Sequence, residues 1–239
     1  MRYSGTRRST SFAAGLCLVA SASQAVAAPS CVGDGNLKPD SPISVATVAG
    51  QGRVPFVKDA SQDPACPSTA AACREAAYLV SGNVVVVGAA LGDYACATYV
   101  GAKGATRTGW LPQSALAAST APVGLDDWAG TWTNDAEASI VIRRKSEVVA
   151  LEGSATYGTL DPDRVRRGAI NSGEFSADVR PRGAMVGFTQ GDNGALPYES
   201  GDEFACRVRM KIAPPFLIVE DNGACGGMNV SFTGLYRRR

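Results

Sequence analysis

Phe204-Ala205-Cys206-Arg207-Val208-Arg209-Met210-Lys211-Ile212-Ala213-Pro214-Pro215-Phe216-Leu217-Ile218-Val219-Glu220 decides the architecture. Two strand-like runs, 204–212 and 216–220, flank a proline pair. Proline lacks the N–H a strand needs and presets a turn, so the pair ends one strand and sends the chain back along it. An antiparallel hairpin centred near Pro214 and Pro215 places Cys206 opposite about Gly223, within two residues of Cys225. A short bulge in 222–227 then brings the two sulfurs together. Outward from this hairpin the second half of the chain keeps the same texture. Residues 140–142, 148–151, 185–188 and 230–236 are further strand candidates, separated by Asp-Pro, Gly-Asp-Asn-Gly and Asp-Asn-Gly, which are turn chemistries. In 230–236, Val230, Phe232, Gly234 and Tyr236 share one face, with Ser231 and Thr233 on the other.

The first half reads alike. Residues 78–80, 84–87, 94–100 and 109–112 are short β-branched or aromatic runs split by Gly and Asp, the pattern of a small barrel. Only 69–77 and 162–169 carry helix-compatible sequence, and the alternation of long helices with strands that builds an α/β scaffold is missing. The chain is therefore expected to be all-β: an irregular or two-stranded segment over 28–72, a barrel over 73–118, a linker over 119–126 and a second antiparallel β-barrel or sandwich over 127–239. The linker suggests that each half melts on its own.

The amino terminus has the order of a signal peptide over 1–27. Arg2, Arg7 and Arg8 precede an apolar run over 12–20 and a small-residue stretch ending Ala25-Val26-Ala27. That run is too short to span a bilayer, and no later segment approaches the roughly 20 apolar residues a span needs. Leu16 before Cys17 argues against a lipid-attachment box. A periplasmic or secreted protein is expected. Losing three arginines with the leader turns 23 basic and 22 acidic side chains into 20 and 22, a balance with no general attraction for nucleic acid. Cys31, Cys66, Cys73, Cys96, Cys206 and Cys225 remain, and an even count in an exported chain reads as a disulfide framework. The hairpin geometry pairs Cys206 with Cys225. Cys66 with Cys73 and Cys31 with Cys96 is then the simplest arrangement for the other four. The chain has no histidine, so Ser-His-Asp, Cys-His and His-metal chemistry have no place in it, and neither a metal nor a cofactor is expected.

Ala77-Tyr78-Leu79-Val80-Ser81-Gly82-Asn83-Val84-Val85-Val86-Val87, with Gly109-Trp110-Leu111-Pro112 and Ala115-Leu116, resembles a bacterial SH3-like domain over about residues 76–118. In that family a strand enters a G-D/N-x-V turn and the barrel closes on a G-W-L/V strand. The resemblance implies a binding module for peptidoglycan peptides or other envelope polymers. Residues 217–237, with Cys225-Gly226-Gly227-Met228-Asn229-Val230 at their centre, resemble the closing signature of small exported proteobacterial proteins, some of them lysozyme-inhibitor-like.

Candidate chemistry is thin. Two carboxylates can cleave a glycoside without histidine, and Glu199, Asp202 and Glu203 lie close in sequence, as do Asp126-Asp127 and Glu220-Asp221. Each group adjoins Gly, Pro or Asn, where acids face water and satisfy turn backbone. Gly191-Asp192-Asn193-Gly194 lacks the ligand spacing of an EF-hand and reads as a hairpin turn. Ser154 has no base beside it. The expected function is a non-catalytic envelope binding protein in which Tyr94, Tyr99 and Trp110 of the SH3-like module contact peptidoglycan peptide or another envelope ligand. An inhibitor or immunity protein that blocks a cell-wall hydrolase through a protein interface is the alternative, and a structural envelope component is the third reading.

Overall fold

A computed structural model describes residues 29–33, 37–101, 104–119, 122–134 and 137–239, with Met1. The expected leader and cleavage site, Cys17 and part of the expected linker lie outside the described residues. The protein is all-β and holds two antiparallel β domains.

The first sheet contains β1 (Ser44–Val48), β2 (Arg53–Val57), β3 (Arg74–Val80), β4 (Val84–Leu91), β5 (Tyr94–Val100), β6 (Thr106–Pro112) and β7 (Leu116–Ala118). Its order is β3-β2-β6-β5-β4-β1-β7, the curl of a half-barrel. Two of its strands, β1 and β2, come from 28–72, so this sheet draws on chain from both sides of residue 73. The stretch 69–77 forms only a 3-10 turn at Ala71–Cys73 before running into β3. The Cys66–Cys73 disulfide and the Lys58 N–H to Cys73 carbonyl bond (2.8 Å) hold that turn beside β2. Those constraints leave no room for a longer helix.

The second sheet contains β8 (Gly130–Thr133), β9 (Ala138–Lys145), β10 (Val148–Tyr157), β11 (Asn171–Val179), β12 (Met185–Gly191), β13 (Gly194–Leu196), β14 (Arg207–Ala213), β15 (Phe216–Asp221) and β16 (Gly234–Arg238). Its order is β11-β10-β9-β8-β16-β15-β14-β12-β13, a nearly closed barrel. At the seam the Ser176 N–H donates to the Gln190 side-chain carbonyl (3.3 Å). Between β10 and β11 lies α1 (Pro162–Arg166), where Asp161 accepts from the Asp163 and Arg164 N–H groups and Pro162 fits the first turn. β11 carries too many small and charged residues to read as a strand, yet it pairs with β10 from Tyr157↔Asn171 to Val149↔Val179. Its inward residues Gly173, Phe175 and Ala177 alternate with exposed Ser172, Glu174, Ser176 and Asp178. Phe175 fits because its partner is Gly153, where a Cβ would lie 2.2 Å from the ring.

The barrel core is filled with large side chains, among them Trp128, Trp132, Phe188, Phe232 and Tyr236. Their polar atoms are satisfied: Trp132 Nε1 donates to the Trp128 carbonyl (2.9 Å) and Tyr236 Oη to that of Phe232 (2.8 Å). β15 is buried on both faces, with Leu217 and Val219 in the barrel core and Phe216 and Ile218 outside it. The outer pair packs with Leu235 against Val45, Val86 and Val100 of the first sheet. Polar bonds rim this shared cluster: Arg209 to Asp40 (3.2 Å), Lys211 Nζ to the Ser41 carbonyl (2.8 Å) and Arg237 to the Val100 carbonyl (3.2 Å). Burial on both faces explains the unbroken apolar runs at 84–87 and 216–219, since one-sided strands alternate. The six cysteines form Cys31–Cys96, Cys66–Cys73 and Cys206–Cys225, the pairs the sequence suggested.

Candidate functional site

Trp110, Tyr94 and Tyr99 do not form one surface. Trp110 is wholly buried against Val57 and the Cys31–Cys96 and Cys66–Cys73 disulfides, which corrects its reading as a ligand contact. Its indole N–H donates to Asp59 Oδ2 (3.0 Å). A tryptophan with its ring in a core and its N–H on a buried acceptor is structural. Tyr94 and Tyr99 sit on opposite faces of β5 because five residues separate them on a period-two strand. Tyr99 packs with Ala97 into the half-barrel core, whereas Tyr94 is half-buried beside the Trp110 cluster. Tyr94 borders a depression lined with Ser68, Thr69, Asp93, Pro112, Gln113 and Ser114.

Asp59 is the residue that sequence reading missed. Its carboxylate is buried and accepts from the Cys31 N–H (2.7 Å), the Ser61 N–H (2.9 Å) and Trp110. Burial pushes its pKa up, but the hydrogen bonds from Ser61, Cys31 and Trp110 outweigh that and hold it at about 2. The acid thereby ties the amino-terminal segment to β6. Two cues were present in the sequence: an Asx-turn pattern at Asp59 to Ser61, and a tryptophan needing an acceptor.

The largest concentration of exposed apolar side chains lies elsewhere, at one end of the second barrel. The ladders running from Tyr157↔Asn171, Thr189↔Arg207 and Val208↔Asp221 bring the connections 158–170, 192–206 and 222–233 to the same end. Six of the ten large apolar side chains exposed among the described residues are there: Phe204 (79%), Met228 (77%), Leu160 (65%), Val165, Ile170 and Leu196.

These connections are braced. The 222–233 segment crosses the barrel mouth, plugging Val230 and Phe232 into the core. It meets β11 through the Gly173↔Gly226 bridge, the Gly227 N–H to Ser172 carbonyl bond (3.0 Å) and Asn171 Nδ2 to the Met228 carbonyl (2.7 Å). The approach requires glycine at both bridge positions. A Cβ on Gly173 would lie 2.3 Å from the Cys225 carbonyl oxygen, and one on Gly226 2.7 Å from the Gly173 Cα. Asp221 Oδ1 pins the far limb, accepting from the Phe232 and Thr233 N–H groups (3.2 and 3.0 Å) and the Ser231 and Thr233 hydroxyls (2.7 and 2.6 Å). Residues 230–233 thus keep the expected alternation, but a carboxylate holds them in place of a ladder, which starts only at Gly234.

The Phe204 loop is fixed on the same frame. The Cys206–Cys225 disulfide joins it to the mouth segment, Asn222 Nδ2 donates to the Ala205 carbonyl (2.9 Å), and Thr189 Oγ1 donates to the Tyr198 carbonyl (2.6 Å). Chemically this end offers contact area on preordered backbone. Neither family models, curated proteins nor solved structures match this chain.

The acidic groups are placed as turn residues and ion-pair partners. Glu199, Asp202 and Glu203 are exposed, with Asp202 Oδ1 accepting from the Phe204 N–H (2.9 Å). Asp127 accepts from the Gly124 N–H (2.7 Å), Asp126 pairs with Arg144 (2.7 Å) and Glu220 with Arg209 (3.0 Å). Asp192 and Asn193 form a two-residue turn between Gly191 and its partner Gly194. Ser154 stands exposed on the outer face of β10. Among the described residues, no three Cys, Asp or Glu side chains are placed to hold a metal ion, and no helix is long and apolar enough to cross a membrane. The three disulfides fit an oxidising compartment.

Proposed function

We propose that this chain is an exported, non-catalytic binding protein of the cell envelope, and that it holds a protein partner with the loop end of its second barrel. The single observation that carries the reading is the gathering of six exposed apolar side chains at one end of the barrel, where Phe204 and Met228 stand on segments tied down by Cys206–Cys225, Asp221 and the Gly173–Gly226 crossing. Scattered apolar residues are ordinary on a surface, but a concentration at one place marks an interaction face. Loops already fixed lose little conformational entropy on association, so more of the contact energy appears as affinity. An aromatic standing out as far as Phe204 has the character of an anchor residue. This favours the inhibitor-like alternative, a rigid plug against another protein. The Tyr94 depression supports a second reading, in which the SH3-like first domain recognises an envelope peptide.

A pull-down from envelope extract with the mature protein separates the two. A protein held by the wild type and lost with Phe204→Ser plus Met228→Ser supports the loop-end reading. Retention on isolated cell-wall sacculi that survives those changes and disappears with Tyr94→Ala supports the other. A partner held equally by the wild type and the loop variant sinks the first.

A further inference from the structure

We infer that the loop end docks against a positively charged protein surface, with Phe204 entering an apolar recess rimmed by lysine or arginine. The inference rests on the loop-end reading and assigns the partner's chemistry. Between Gly183 and Cys206 the chain has no lysine or arginine, yet it carries Asp192, Glu199, Asp202 and Glu203, all exposed. None of the four is in an ion pair with a described residue. The nearest cation along the chain, Arg207, is only partly exposed and turns its guanidinium to the Gly201 and Asp202 carbonyls (3.4 and 2.7 Å). On the neighbouring 158–170 connection, by contrast, Asp161 and Asp163 are answered by Arg164 and Arg166, and exposed Arg167 adds a further positive charge. Net negative charge is therefore concentrated on the 192–206 segment that carries Leu196 and Phe204, the most exposed aromatic among the described residues.

Charges at the rim of an apolar contact mostly set partner choice and encounter rate. That discriminates among occupants. An anionic membrane surface attracts basic segments and repels this one. A second copy meeting the same face by a twofold axis would set Glu199 and Glu203 against the same acidic loop. A basic-rimmed protein recess satisfies both the apolar centre and the acidic edge.

Panning a phage-displayed library of random disulfide-cyclised peptides on the immobilised mature protein tests this. Selected peptides are expected to carry lysine or arginine beside aromatic or aliphatic residues. One synthesised binder should lose about tenfold or more in affinity against Glu199→Lys with Glu203→Lys at low salt, and much less in 0.5 M NaCl. The Glu199→Gln, Glu203→Gln pair should fall between, and circular dichroism checks that each variant keeps its fold. Binders abolished by Phe204→Ser but neutral or acidic in sequence, and indifferent to charge reversal, would overturn the charge assignment while leaving the loop-end reading intact. Selection of nothing, or of binders indifferent to Phe204→Ser, would overturn both. So would co-sedimentation with anionic vesicles, or self-association lost in the Phe204 variant.

Discussion

Asp59 shows how one side chain replaces a run of packing. Donors from different parts of the chain converge on it: the Cys31 and Ser61 N–H groups, the Trp110 indole and, at 3.4 Å, the Ser30 hydroxyl. In the unfolded chain its pKa returns toward 3.8, against about 2 when folded. A depressed carboxylate contributes stability that is fully present above the unfolded pKa and is lost as pH falls through the folded one. At about 1.4 kcal/mol per pH unit the ionised state contributes about 2 kcal/mol at neutral pH. Asp59→Asn should therefore lower the unfolding free energy by about that much at pH 7. The gap between variant and wild type should narrow from pH 4 down to pH 2. Urea titrations at pH 7, 4 and 2 measure it, and a gap independent of pH would show that the carboxylate charge plays no part.

At the scale of elements, the β14–β15 hairpin sets the loop end. Its register runs from Ala213↔Phe216 to Val208↔Asp221, which puts Cys206 level with Gly223. The two-residue offset from Gly223 to Cys225 is taken up in the turn that begins the barrel-mouth segment. Closing that loop of about 20 residues restricts the unfolded chain by about 3 kcal/mol. Cys206→Ala with Cys225→Ala should lower the melting temperature. It should also speed hydrogen exchange in 197–206 and 222–230 more than in β9 and β10, because those loops lose their common tether. Exchange mass spectrometry reads this directly. Uniform acceleration across the barrel would mean that the disulfide acts on global stability alone.

At the scale of the whole molecule, the two sheets share a cluster in which Val45, Val86 and Val100 meet Phe216, Ile218 and Leu235. Domains joined by a large apolar interface move and melt together, whereas a flexible linker alone would let them melt apart. Calorimetry of the protein should give one transition with matching calorimetric and van't Hoff enthalpies. Ile218→Asp, which places an unpaired carboxylate in that cluster, should lower or split the transition. Two separate transitions in the wild type would refute the coupling and favour halves that melt independently.

The sequence by itself determined the class of fold, the positions of most strands, the hairpin around Pro214-Pro215 and the Cys206–Cys225 pair that follows from it. Each of these is written in local signals: β-branched runs, turn residues and the register a two-residue turn imposes. Only the tertiary structure decided that β1 and β2 close the first sheet, that the Asn171–Val179 stretch is a strand, and that Trp110 lies inside. β11 was hidden because Gly173, Ser176 and Ala177 have weak strand preference, and it exists only because β10 offers it a full ladder. The loop end was hidden for a related reason. Leu160, Val165, Phe204 and Met228 are isolated apolar residues along the chain, separated by turns and charges. They come to the same end of a barrel because antiparallel ladders return three connections there. Exposure depends on what packs above a residue, and that is fixed by pairings between segments far apart in sequence.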